Sequence, residues 1–192
     1  MSAALPRRPY RIPALLRDLV LVDMLELTGS TVAAAQLLNL SQPSVSRRYR
    51  RLAMEMGLQQ QRGRQPGRRF CDADWMRLLR QGVNRHRLDC GVLRLGGSAA
   101  IEPLMSSWPW AEWVPLPAAS LNHSNTLLEL DLLDGVVLDR DQIAAFQTCN
   151  LIPLPATEDC SLWLLCRSDP LVQELAQREC NQLMQSSFAQ GC

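Results

Sequence analysis

Hydrophobic and polar positions follow a helical period in the first half of the chain and a mixed period in the second. Behind a Pro/Arg-rich arm over 1–13, which we expect to be flexible, apolar residues predict a first helix over 13–28. The acids of this helix fall on the opposite face; they are Asp18, Asp23 and Glu26. Gly29 ends the helix, and Ser30 is an N-cap residue for a short alanine-rich helix over 31–38.

The third predicted helix has two contrasting faces. It begins after the N-cap Ser41, tolerates Pro43 in its first turn, and ends at Gly57. At 100° per residue, four apolar residues form one narrow stripe: Val45, Tyr49, Leu52 and Met56. The rest of the surface is basic or carries hydroxyl groups, through Ser44, Ser46, Arg47, Arg48, Arg50 and Arg51. One face is therefore expected to pack on the preceding helices, and the other to form a cationic, hydrogen-bonding surface.

A basic turn segment and a fourth helix follow. The Gln/Arg/Gly-rich stretch 59–69 is typical of a short hairpin or wing, and Asp72 is an N-cap for a helix to about Leu88, of the kind that often serves as a dimer stalk. From Gly91 onward, short strands alternate with helices, which predicts a small α/β layer. The strands are predicted at 92–95, 113–116, 135–138, 151–154 and 162–166, and the helices at 124–133, 141–146 and 171–183.

Charge divides the chain at the same place. The net charge of the 192 residues is +1, yet residues 1–90 hold 16 Arg and 7 acids, whereas residues 91–192 hold 4 Arg and 12 acids. A first half at +9 joined to a second half at −8 favours polyanion binding by the first half. The acids of the second half are scattered, and we expect them on the solvated surface.

Several classes of protein are excluded or disfavoured by the same sequence. No apolar run reaches membrane-spanning length and no leader peptide is evident, so we expect a soluble, cytoplasmic protein without membrane contact. The seven cysteines include no C-x-x-C, so no zinc site or other cofactor is expected. We expect the cysteines to be reduced thiols that are mostly buried. A redox pair such as Cys160 and Cys166 stays open. No nucleophile–base set can be assembled, which argues against an enzyme.

The run Ser41-Gln42-Pro43-Ser44-Val45-Ser46-Arg47, placed behind Ala34-Ala35, resembles the winged helix–turn–helix of LysR-type transcriptional regulators. The resemblance covers about residues 14–88. It implies that the third helix reads DNA, that a wing lies near 62–69, and that linker helices pair antiparallel in a homodimer. The residues that it places on double-stranded DNA are Ser41, Gln42, Pro43, Ser44, Ser46, Arg47, Arg50, Arg62 and Arg64.

The second half resembles one lobe of the same family's effector domain, which is similar to periplasmic binding proteins. The segments 91–96, 127–139 and 151–171 carry this resemblance. It implies a truncated regulatory domain in which Ser98, in Gly96-Gly97-Ser98, lies at a ligand-pocket position; the alternative is a plain strand-to-helix turn. Whether a small-molecule effector binds is left open.

The combined expectation is an α+β chain with four parts. After the arm come an all-α winged helix–turn–helix over 14–70, a linker helix over 71–90 and an α/β half-domain over 91–192. The expected function is that of a DNA-binding transcriptional regulator. Two alternatives remain: a partner that oligomerises with a full-length regulator and interferes with it without binding DNA, and a small-molecule or redox-sensing module.

Overall fold

The structure is a computed structural model that describes residues 11–61, 63–70, 73–105, 108–143, 151–154 and 161–189. Its first half holds a 3₁₀ turn and four helices, which run over Ala14–Leu16, α1 Arg17–Thr28, α2 Thr31–Leu37, α3 Gln42–Met56 and α4 Asp74–Asp89. These helices match the four predicted from the apolar spacing, although Ala73, and not the predicted Asp72, is the N-cap of α4. The caps explain the breaks between them, because Gly29 and Gly57 both adopt positive φ at a helix C-terminus.

The second half is built on a five-stranded mixed sheet in the order β2-β1-β3-β5-β4. Its strands are β1 Leu93–Gly97, β2 Ala111–Pro115, β3 Gly135–Asp139, β4 Leu151–Pro153 and β5 Leu162–Cys166. β1 pairs parallel with β2 and β3, whereas β5 pairs antiparallel with β3 and β4. All five strands fall on the predicted segments. The helices are α5 Glu102–Met105, α6 Ala118–Leu121, α7 Ser124–Glu129, α8 Arg140–Ile143 and α9 Pro170–Ala189, and a 3₁₀ turn covers Ala99–Ile101.

Helix α1 lies at the centre of the molecule. Every residue from Val20 to Thr28 is buried, so the helix has no solvated face along that stretch. The prediction that its acids form a polar face is wrong for Asp23 and Glu26, which are 2% and 0% exposed. Both carboxylates instead bond to groups brought from distant parts of the chain, which removes the need for water around them.

The sheet is covered on both faces. One face, which includes Val136, Leu138 and Leu165, joins a single apolar core with α1 and the other helices of the first half. The opposite face, which includes Leu95 and Leu164, packs against α9. Within the described residues the chain is thus a mixed α/β fold of nine α-helices and one sheet. The helical half and the α/β half share a core.

Candidate nucleic-acid interface

Two serine caps shape the α2–turn–α3 unit. The Ser30 hydroxyl accepts a hydrogen bond from the backbone N–H of Ala33, and the Ser41 hydroxyl accepts one from that of Ser44 at 3.3 Å. Ala34, at the helix crossing, is completely buried, and Asn39 takes positive φ in the turn. The small residues at the crossing and the tight turn bring α3 close to α1 and α2. The apolar stripe of α3 packs against these two helices.

The two faces of α3 differ as the sequence predicted. Val45 and Leu52 are buried, and Tyr49 donates a hydrogen bond of 3.0 Å to the carbonyl of Phe70 while the two rings meet edge to face. On the opposite side Arg47 and Arg50 are exposed, and the α/β half leaves them open to solvent. A long exposed helix face that carries guanidinium groups is the physical requirement for inserting a helix into a DNA groove.

The basic segment after α3 departs from the prediction. Among its described residues, 59–61 and 63–70, no strand forms, so the predicted hairpin is wrong in its secondary structure. One backbone hydrogen bond, from the Gln61 N–H to the Arg69 carbonyl at 2.7 Å, closes the loop. The backbone N–H groups of Arg69 and Phe70 both donate to the buried Glu26 carboxylate of α1, so they are not paired with another strand. We call residues 59–70 the basic loop.

Most of the predicted DNA-binding residues lie on α3 or at its N-cap, one lies in the basic loop, and one lies outside the described part of the chain. Ser41, Gln42 and Pro43 are exposed at the start of α3, whereas Ser44 and Ser46 are half-buried. The hydroxyl oxygens of Ser41 and Ser44 lie 2.8 Å apart, and the Gln42 amide donates to the Thr31 hydroxyl at 3.1 Å. Arg64 is exposed in the basic loop, and Arg62 lies outside the described residues.

Ser98 lies in the other half of the molecule, away from this surface. Its hydroxyl accepts a hydrogen bond of 3.3 Å from the backbone N–H of Ala100 and so caps the 3₁₀ turn after β1. That contact fits the plain-turn alternative, and the ligand role of Ser98 stays a prediction.

Two of the three described cysteines are buried. Cys166 and Cys180 are buried, and burial raises the pKa of each thiol to about 12. Cys90 is exposed. Cys160, the other member of the suggested redox pair, lies outside the described residues. A thiolate at neutral pH is therefore disfavoured at the two buried positions.

A buried ionic network joins the two halves, and the sequence analysis missed it. The prediction that the acids of the second half are solvated is wrong for Asp131, Asp134 and Glu179, which are buried, and Glu112 is partly buried. The network spans α1, α4 and the sheet half through Asp23, Arg80, Arg87, Arg94, Glu112, Asp131, Asp134 and Arg167. The available signal was the helical spacing of arginines along one face of α4.

Opposite charges in this network outweigh the cost of burial. Burial alone would raise the pKa of Asp134, yet the Arg87 and Arg167 guanidinium groups and the Arg94 backbone N–H together lower it. Burial alone would likewise lower the pKa of Arg94, but the carboxylates of Glu112 and Asp23 raise it. Both groups are therefore charged at neutral pH, and the network fixes the helical half on the sheet.

Searches against known proteins add a family resemblance. No protein-family model and no curated protein matches the chain. Among solved structures it matches a cysteine variant of OxyR from Corynebacterium glutamicum (16% identity, TM-score 0.36) over 78% of this chain and 52% of that chain. A full-length OxyR variant from Pseudomonas aeruginosa (14% identity, TM-score 0.36) matches over 75% of this chain and 55% of that chain. HinK from the same organism, a LysR family transcriptional regulator (18% identity, TM-score 0.31), matches over 73% of this chain and 51% of that chain.

The solved structures that the chain matches thus include OxyR and other LysR-family transcriptional regulators. The chain spans about half the length of these structures. TM-scores this low carry no argument about what the chain does. In addition, none of the described helices is both long and apolar enough to cross a membrane.

Proposed function

We propose that the chain is a sequence-specific, double-stranded DNA-binding transcriptional regulator resembling the LysR type. The observation that carries this proposal is the exposed face of α3, because it bears Arg47 and Arg50 while the apolar stripe behind it is fixed by the core. The net charge of +9 on residues 1–90 supports the same conclusion, since DNA is a dense polyanion.

The residues of this face suit two kinds of DNA contact. Arg47 and Arg50 project from the middle of α3, where a guanidinium group can bond guanine bidentately or take a phosphate. The start of α3, at Ser41 and Gln42, offers exposed polar side chains beside the positive end of the helix dipole, which favours a phosphate. The basic loop, with Arg64 and with Arg62 beyond the described residues, would contact the flanking backbone.

The test of DNA binding is a titration with the duplex upstream of the chain's own coding region, at two salt concentrations and with excess competitor DNA. We expect Arg47→Ala to weaken binding to that duplex by about 1–3 kcal/mol if it contacts a base. Arg140→Ala, in exposed helix α8 of the other half, removes the same charge and is the matched control. Equal affinities of the two variants would reject the role of Arg47, and absence of binding by the unmodified chain would reject the function.

We further propose that two chains pair through α4. Its inner stripe, which includes Met76, Val83 and Arg87, is buried, whereas Leu78 on the outer side is 70% exposed. The outer stripe runs at helical spacing through Trp75, Leu78, Leu79 and Gly82. A side chain added at Gly82 would meet nothing within 4 Å, so a second helix has room to approach there.

A homodimer would place two α3 helices on successive major-groove faces, which fits the way helix–turn–helix proteins bind paired half-sites. Leu78→Glu should convert the dimer to a monomer in light scattering coupled to gel filtration and should weaken DNA binding with it. Leu171→Glu introduces the same charge at an exposed leucine of α9 and is the control. A dimer that persists in the Leu78 variant would refute pairing through this stripe.

A further inference from the structure

A basic groove runs along the side of α3 that faces the start of α1. It contains a cavity of about 530 Å³, and its lining residues are Arg17, Leu40, Ser44, Arg47, Arg48 and Arg51. An adjoining cavity of about 300 Å³ shares three of these residues, Arg17, Leu40 and Arg48, and extends to Arg11. We call the two adjoining cavities together the arginine groove.

One carboxylate organises the arginine groove. Asp18, in the first turn of α1, lies 3.3 Å from Nη2 of Arg51 through its Oδ2 and 3.4 Å from Nε of Arg48 through its Oδ1. Its side chain is 29% exposed. Glu55 lies at the far end, 3.9 Å from Nε of Arg51. Five arginines therefore face two carboxylates, and the groove keeps a net positive charge.

We propose that the arginine groove binds a backbone phosphate of DNA, and that Asp18 is a positioning residue that holds Arg48 and Arg51 for it. The inference rests on the proposed function. A helix about 10–12 Å across fills a major groove about 12 Å wide, so residues on its flanks meet the strand that borders the groove. Arg48 and Arg51 occupy such a flank, and Arg17 at the start of α1 lies across the groove from them.

Asp18 has two physical effects on this site. A free arginine side chain has many rotamers, and an ion pair that holds it before DNA arrives reduces the ordering cost of binding. The same carboxylate also cancels part of the positive charge, which reduces attraction to any duplex regardless of sequence. Asp18 is thus expected to favour correctly placed phosphates over arbitrary ones.

The experiment measures binding to a random-sequence duplex of about 30 base pairs, roughly three helical turns, by fluorescence anisotropy over a series of salt concentrations. In the double variant Arg48→Gln/Arg51→Gln, the slope of log affinity against log salt should fall by about one, because one phosphate contact is lost. Arg140→Gln/Arg178→Gln removes two arginines of the α/β half, α8 and α9, and is the matched control. Equal slopes in the two double variants would overturn the groove's role.

Asp18→Asn separates positioning from a merely structural role. We expect affinity for the random duplex to rise about threefold, from loss of one repulsive charge roughly 7 Å from the phosphate. Affinity for the duplex upstream of the coding region should rise less, because Arg48 and Arg51 lose their pre-ordering, and the melting temperature should stay close to that of the unmodified chain. If the ratio of the two affinities does not change, the positioning role of Asp18 is overturned. If the unmodified chain shows no salt-dependent binding to DNA, the proposed function itself is refuted. If binding depends on salt but the two double variants have equal slopes, only the proposed role of the arginine groove is refuted.

Discussion

The carboxylate of Asp134 is the most sensitive point of the network between the two halves. It is fully buried and bonds to three groups: the Arg87 guanidinium, the Arg94 backbone N–H at 2.7 Å and Nε of Arg167 at 3.2 Å. Arg87 is also completely buried. Asp134→Asn keeps the shape of the side chain but removes its charge, which leaves the buried Arg87 guanidinium with a single carboxylate, that of Glu112 at 4.0 Å from Nε.

The expected loss is large compared with the stability of a single domain. Removing one partner of a buried ion pair typically costs about 3–5 kcal/mol, against a total free energy of unfolding of about 5–15 kcal/mol. The matched control is Asp89→Asn, because Asp89 pairs with Arg85 on the exposed side of α4, where the two side chains are 60% and 63% exposed. That substitution should cost less than about 0.5 kcal/mol.

The assay is urea unfolding followed by far-UV circular dichroism, with midpoint and slope compared for the two variants. We expect a much lower midpoint for Asp134→Asn, and one close to that of the unmodified chain for Asp89→Asn. Equal midpoints for the two variants would show that the buried charge of Asp134 does not contribute to stability. The argument that the buried network stabilises the fold would then be refuted.

The pH dependence of unfolding tests the same group from another direction. The pKa of Asp134 in the folded chain is lowered, chiefly by Arg87 against the opposing effect of burial, while in the unfolded chain it is about 3.9. The stability from this group is therefore present above about pH 4 and is lost as the pH falls towards the folded-state pKa. The Asp134→Asn variant should lose less stability than the unmodified chain over that acid range.

Two further predictions address the basic loop and the thiols. Gly67→Ala should lower the free energy of unfolding by about 1–3 kcal/mol more than Gly63→Ala; both glycines have positive φ, but only at Gly67 would a methyl group fall 2.8 Å from Cδ1 of Leu130. Equal losses in urea melts would show that the loop does not pack on the sheet half. In alkylation at neutral pH followed by peptide mapping, Cys90 should react before Cys166 and Cys180, whose raised pKa and burial protect them until the chain unfolds. Equal rates in the folded chain would contradict that assignment.

Local signals in the sequence determine most of the secondary structure. The caps Ser30 and Ser41 and the C-cap Gly57 act within a few residues, so the boundaries of α2 and α3 follow from the sequence. The strands of the second half also follow, because short apolar runs between turn residues have few alternatives. The same applies to the exposed face of α3, since a single apolar stripe leaves the rest of the helix to solvent.

Long-range contacts account for what the sequence did not predict. Glu26 accepts hydrogen bonds from the Arg69 and Phe70 N–H groups, more than forty positions away, and this replaces the expected hairpin. Asp23 on α1 pairs with Arg80 on α4 and with Arg94 on β1. On a helical wheel both acids look like solvent-facing residues, because periodicity does not distinguish a polar face in water from a polar face that meets buried arginines.

The shared core limits how the two halves can influence one another. Since α1 is buried from Val20 to Thr28, and since Asp23 bonds to both Arg80 and Arg94, a tilt of the helical half on the sheet would break buried ion pairs. In the proposed dimer, a signal received by the α/β half would therefore move each α3 together with its own sheet as one body. Control of DNA binding would act on the spacing between the two α3 helices across α4, and would be visible as a change in the preferred half-site separation rather than in the bases read.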